Sequence, residues 1–144
     1  MIKLALISLQ LLSIATIAYS QLVLDLEIDN IRNSQGVIRL AIYTKSSEFP
    51  DNPPATRIIS KKSLKDHKIK VQLKSFKPGI YAFSLLDDEN NNDAMDYNAL
   101  RIPTEGFGFS SKSNPFFRAP PYKKCLVELK PGNNKLFMKV HYKL

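Results

Sequence analysis

The chain has 144 residues with 21 Lys and Arg against 13 Asp and Glu, a formal charge of +8, no tryptophan and one cysteine. That length suits one domain. A single cysteine excludes a disulfide-built scaffold, and the basic balance, carried mainly by lysine, is of the kind that draws a protein toward lipid headgroups, anionic glycans or nucleic acid.

The first segment is a predicted secretory signal. Lys3 gives a positive start, Leu4 to Ala18 is an apolar run broken only by Ser8, Gln10, Ser13 and Thr16, and Ala18-Tyr19-Ser20 places small residues where a signal peptidase requires them. The run is too short for a stable membrane anchor. Cleavage before Gln21 is expected, so residues 1–20 form the signal peptide and residues 21–144 the domain, 144 − 20 = 124 residues with charge 8 − 1 = +7 once Lys3 is gone. The expected destination is the periplasm or the medium, with no membrane span after cleavage. Cys125 lies far from the new terminus, which speaks against lipid attachment there. It falls in the alternation Cys125, Val127, Leu129, where a small buried residue is expected.

Strands dominate the mature chain. Leu22, Leu24, Leu26 and Ile28 alternate with Asp25, Glu27 and Asp29, the pattern of a strand with one buried face. Asn33 to Gly36 supplies a turn, and Val37 to Thr44 is apolar on both phases, as in a central strand. Ser46 to Ser60, with three prolines, reads as a long connection. Ile69, Val71 and Leu73 alternate with polar residues; lysines at 68, 70 and 74 blunt and solvate that face, so no nucleic-acid site is expected there. Lys77-Pro78-Gly79 leads into Ile80 to Leu86, again apolar on both phases. A second long connection runs from Asp87 to Lys123, and Cys125 to Leu129 with Leu136 to Leu144 flank Pro131-Gly132-Asn133-Asn134 as a terminal hairpin. No window sustains helical spacing for three turns. The predicted fold is therefore all-β, a single antiparallel β-sandwich of about seven strands.

The second long connection holds the candidate sites. Asp88, Asn90 and Asn92 take positions one, three and five of a calcium-loop pattern, Ala94 offers a carbonyl at seven, Asp96 stands at nine, and Glu105 is the nearest carboxylate that could complete a shell. Asp93 replaces the sharp-turn glycine and Ala99 the bidentate Glu of the helix-loop-helix version, so a solvated Asp/Asn turn stays open beside calcium, the one cofactor the spacing suggests. Tyr97, Phe107, Phe109, Phe116, Phe117 and Tyr122 are spread among glycines and prolines, either as a ligand or partner surface or as rings capping the core.

Catalytic signals are weak. His67 and His141 sit among solvated residues, no serine lies in a nucleophile elbow, and the four carboxylates Glu48, Asp51, Glu89 and Glu105 suggest a hydrolase only if the fold gathers them. The expectation is a non-enzymatic binding or scaffolding module of the cell envelope, its partner an envelope protein or a glycan. An accessory carbohydrate- or surface-lipid-binding module is the alternative.

The run GIYAFSLLDDENNNDAMDYNALRIPTEGFGFS, preceded by GVIRLAIYTKSSEFP and followed by PFFRAPPY, resembles the exported bacterial family catalogued as Domain of Unknown Function 2141. The likeness spans about Leu22 to Leu144, and its most specific pieces are the Asp88, Asn90, Asn92, Asp96 turn and the block Ile102 to Ser110. Family members often carry His and Gly where this chain has Asp87 and Asp93. The resemblance implies a signal peptide and a prealbumin-like or immunoglobulin-like sandwich, and no known activity.

Overall fold

The computed structural model describes residues 21–111 and 118–143; the expected signal peptide, and Phe116 and Phe117 of the aromatic set, lie outside the described residues. The described chain forms eight strands: β1 Val23–Asp29, β2 Val37–Tyr43, β3 Ala55–Ser60, β4 Ile69–Leu73, β5 Gly79–Asp88, β6 Gly106–Phe109, β7 Leu126–Leu129 and β8 Asn133–Lys139. One sheet has the order β4-β1-β8. The other runs β3-β2-β5-β6, with β7 also paired to β5.

The alternation read from β1 is the actual division between core and solvent: Leu22, Leu24, Leu26 and Ile28 are buried, and the acidic residues between them are not. Ile38, Leu40 and Ile42 of β2, Phe83 and Leu85 of β5, and Leu136 and Met138 of β8 meet them in one core between the sheets. Each such side chain contributes about 1.5–3 kcal/mol on removal from water. The architecture is the expected all-β sandwich.

Three details differ from the sequence-based expectation. The strands number eight rather than about seven, because Ala55–Ser60 and Gly106–Phe109 both pair inside the segments read as connections. Neither shows an apolar alternation in sequence: only Ile59 of β3 is buried, and the buried face of β6 consists of Gly106 and Gly108. The sandwich is also not wholly antiparallel, since β8 lies parallel to β1 with Leu26 opposite Leu136 and Ile28 opposite Met138. The expected terminal hairpin is absent for the same reason. Strand β7 joins β5, whereas β8 crosses to the other sheet. Asn134 fixes that crossing, its side-chain carbonyl accepting from the Lys130 N–H at 2.9 Å and its amide donating to the Lys130 carbonyl at 2.8 Å.

Strand β5 is the longest, at ten residues. Its partner β2 occupies one edge, and β6 and β7 share the other end to end, β6 along Ser84 to Asp87 and β7 along Gly79 to Ala82. The glycines of β6 let the C-terminal segment close against it. A Cβ at Gly108 would overlap the Lys139 carbonyl, and in its absence Phe107 and His141 exchange backbone hydrogen bonds at 3.0 and 2.7 Å.

Candidate ligand groove and acidic turn

Strand β5 alternates its side chains between two environments until it ends in Asp87-Asp88, and Glu89 follows. Three consecutive acids at the end of an apolar strand would repel one another, and each is matched by a cation from a different element. Asp87 points inward with no exposed surface and pairs with Lys61, itself 2% exposed, which the one-turn helix Lys61–Ser63 delivers directly after β3. The Tyr142 hydroxyl donates to the other Asp87 oxygen at 2.5 Å. Burial raises the Asp87 pKa above the usual carboxylate value despite the bonds from Lys61 and Tyr142, and burial likewise pushes the Tyr142 phenol up.

Asp88 points outward toward Arg39 of β2, which also pairs with Asp93. Its two oxygens accept from the backbone N–H groups of Asn92 at 3.0 Å and Asp93 at 3.1 Å. Burial would raise its pKa, yet the bonds from Arg39 and from those N–H groups outweigh burial and hold it below the ordinary value. Glu89 receives both N–H groups of the Arg32 fork at 2.7 Å and the Asn33 amide at 2.9 Å. The Arg32 bond is the main reason its pKa is depressed. The Arg32 guanidinium in turn stacks 4.5 Å over the Tyr142 ring and donates to the Thr104 carbonyl.

The turn itself is closed by its own side chains. Asn90 and Asn92 donate their amides to the two oxygens of Asp96 at 2.6 and 2.9 Å, and Asn92 accepts from the Ala94 N–H at 3.0 Å. Asn91 and Asp93 take positive φ, 59° and 68°, which these residue types tolerate. Glu105, 4% exposed, accepts the Glu89 N–H at 2.8 Å and the Asp96 N–H at 3.4 Å, so it ties the two ends of the turn together. Of the six residues singled out for calcium, five lie in the turn and Glu105 braces its ends, with Asp88 engaged by a guanidinium, Asp96 by two amides and Glu105 by backbone N–H groups. Among the described residues no group of three or more His, Cys, Asp or Glu side chains is arranged to hold a metal ion.

Beside the turn, the outer face of the larger sheet is left open as a groove of about 640 Å³. Its floor follows two cross-strand rows, Ala41-Ser84-Phe109 and Arg39-Leu86-Phe107. The connection after β2 adds Pro50, Asp51 and Pro53, and the segment after the turn adds Met95, Tyr97, Arg101 and Pro103. That second segment is built on Asn98, whose side-chain carbonyl accepts the Leu100 and Ile102 N–H groups at 2.9 and 3.0 Å, a bridge joining Tyr97 to Pro103. Arg118 and Lys143 complete the lining, with the Lys143 ammonium 5.8 Å above the Phe107 ring.

The aromatic expectations divide accordingly. Tyr97, 58% exposed, and Phe107 and Phe109 line the groove. Tyr122 instead packs into a small apolar cluster on the same outer face with Tyr43, Ala82 and Cys125, its ring 5.8 Å from Phe49. The Tyr43 hydroxyl donates to the Pro50 carbonyl at 2.6 Å and meets Ser84 Oγ at 2.9 Å, so the connection after β2 is held down over the sheet. Cys125 is fully buried, and burial pushes its thiol up to about 11, the inert state expected of it. Of the four carboxylates considered for hydrolysis, Glu89 is committed to Arg32 and Glu105 to the backbone, and of the other two Asp51 lines the groove while Glu48 does not.

The cations of the groove, Arg39, Arg101, Arg118 and Lys143, were not among the candidates read from the sequence. One signal existed: Arg39 is a charge inside an otherwise apolar central strand, and a charge there needs a partner or a purpose.

Fold and groove together define a small two-sheet β-sandwich with a loop-walled cleft on the outer face of its larger sheet. The chain belongs to the family described as "Uncharacterized protein conserved in bacteria (DUF2141)", whose model matches residues 26–136. No curated protein matches the chain, and no solved structure does.

Proposed function

We propose that this protein is a non-enzymatic binding module exported to the bacterial periplasm or surroundings, and that the groove on the larger sheet is where it holds its ligand. The observation that carries the reading is the groove itself: an open space of about 640 Å³ in which an exposed Tyr97 and two phenylalanines stand beside arginines. Ligand sites combine an apolar surface with a few placed polar groups in this way. Residues 1–20 supply the export signal. In this reading the acidic turn is a wall of the groove, rigid because each of its acids already has a partner.

Co-sedimentation with purified bacterial envelopes tests the proposal. The mature domain should pellet with them, Tyr97→Ala combined with Arg101→Ala should stay in the supernatant, and Phe137→Ala on the other sheet, a side chain 58% exposed, should behave as the unaltered protein does. Equal sedimentation of all three proteins would sink the assignment of the groove.

A further inference from the structure

We infer that the ligand is an acidic polysaccharide, a chain of sugar rings carrying carboxylates; this rests on the groove being the binding site. Charge is the first ground. Arg39 is held between Asp88 and Asp93, so the field in the groove is set chiefly by Arg101 and Arg118, with Asp51 against them. A cleft with excess positive charge concentrates anions, and the planar guanidinium fork fits a carboxylate with two parallel hydrogen bonds. The second ground is the apolar surface. Tyr97, Phe107 and Phe109 offer ring surface to the C–H faces of sugar rings, while Asp51 and Asp93 offer acceptors to hydroxyls.

The same features weigh against other anions. An extended acidic peptide binds by adding a strand to a free sheet edge, whereas this groove lies on a sheet face where β2, β5 and β6 already pair with each other. A lipid tail needs an apolar enclosure, and this floor is open and includes Ser84 and Arg39. Nucleic acid brings one phosphate per residue for the arginines, but a DNA strand has no ring hydroxyls for the aspartates to accept from. A uronate chain has a carboxylate for the arginines and hydroxyls for the aspartates.

Electrophoresis of the mature domain through gels containing dissolved polymer reads the binding directly. Polygalacturonate should retard the protein, dextran, polyglutamate and single-stranded oligothymidylate should not, and added salt should weaken the retardation. Arg101→Ala should weaken it about tenfold, the loss expected for one charge-assisted hydrogen bond, with partial recovery in Arg101→Lys. Position 101 is exposed in a surface loop, and an unchanged melting temperature verifies that both variants fold. Equal retardation by dextran would overturn the acidic character and leave the groove a sugar site. Equal retardation by polyglutamate or oligothymidylate would overturn the sugar. Retardation unaffected by Arg101→Ala would remove the groove and the reading beneath it, and no retardation by polygalacturonate would refute the inference while envelope co-sedimentation still decides the binding role.

Discussion

Lys61→Met would expose how the acidic end of β5 is held. The substitution keeps the length of the side chain and removes the cation that faces Asp87, a carboxylate with no exposed surface. Breaking a buried pair by removing one partner costs about 3–5 kcal/mol, mostly because the remaining charge is left uncompensated. Burial already raises the Asp87 pKa with Lys61 present, and without Lys61 it rises further. A carboxyl with a raised folded-state pKa destabilises the fold increasingly as pH climbs above its unfolded value of about 3.9, by about 1.4 kcal/mol per pH unit until the folded-state pKa is reached. The loss should therefore be larger near pH 7.5 and shrink near pH 4.5, less than one pH unit above the unfolded-state value, where little of that destabilisation has accumulated. Urea denaturation of both proteins at the two pH values, with equal slopes, measures it. An equal loss at both pH values would mean that Lys61 acts through the packing of its stem, and a loss under about 1 kcal/mol would show that the pair behaves as a solvated surface bridge.

Calcium is expected to leave the melting temperature of the unaltered domain unchanged at millimolar concentration, because it must displace Arg39 from Asp88 and two amides from Asp96. Arg39→Met releases Asp88 and Asp93, and only in that variant should calcium raise the melting temperature in a chelator-reversible way; a rise in the unaltered domain would identify the turn as an ion site. Asp88 and Glu89 have depressed pKa values, so their contribution is complete above about pH 5 and is lost as pH falls through their folded-state values. Thermal melts from pH 7 to 3 should show this decline and should flatten in Glu89→Gln; an identical slope in that variant would exclude Glu89 as a source. Gly108→Ala drives a Cβ into the Lys139 carbonyl, with Leu85 only 3.2 Å away, and should cost about 1–3 kcal/mol. Loss of hydrogen-exchange protection at the Phe107 and His141 amides would locate the damage, and protection equal to that of the unaltered protein would refute it.

Periodicity reveals a strand only where one face is buried and the other is not. That is why β1 is legible residue by residue and β3, with Ile59 as its one buried side chain, is not; β6 alternates in burial, but its buried face is glycine and leaves no apolar signal. The hairpin expected at the end failed for a different reason. A Pro-Gly-Asn turn states that the chain reverses or crosses, and which of the two occurs depends on the vacant edge of β1, more than 100 residues earlier in sequence. The candidate site shows the same division. Spacing alone brought Asp88, Asn90, Asn92 and Asp96 into one turn, since Asx side chains bond their own backbone locally. The counter-charges of Glu89, Asp88 and Asp87 come from Arg32, Arg39 and Lys61, separated from their partners by 57, 49 and 26 positions, and only the tertiary fold, with β2 paired to β5 and the helix after β3, brings those into reach.

Strand β5 is what makes the groove and the turn a single object. Its inward residues end in Asp87, which is locked to Lys61 and Tyr142 beneath the sheet, and its outward residues Ser84 and Leu86 form part of the groove floor before Asp88 starts the wall. Tyr142 carries that link onward, since the ring whose hydroxyl holds Asp87 also lies under Arg32, the partner of Glu89. The position of Tyr97 and Arg101 over the floor thus depends on contacts made on the opposite face of the same strand. A groove built this way is preorganised, and ligand binding does not have to supply the ordering of its wall. Lys61→Met should accordingly weaken polygalacturonate retardation as well as stability, although Lys61 is buried away from the groove. Retardation unchanged in a folded Lys61→Met protein would show that the wall is positioned by the turn's own Asn90, Asn92 and Asp96 bonds alone.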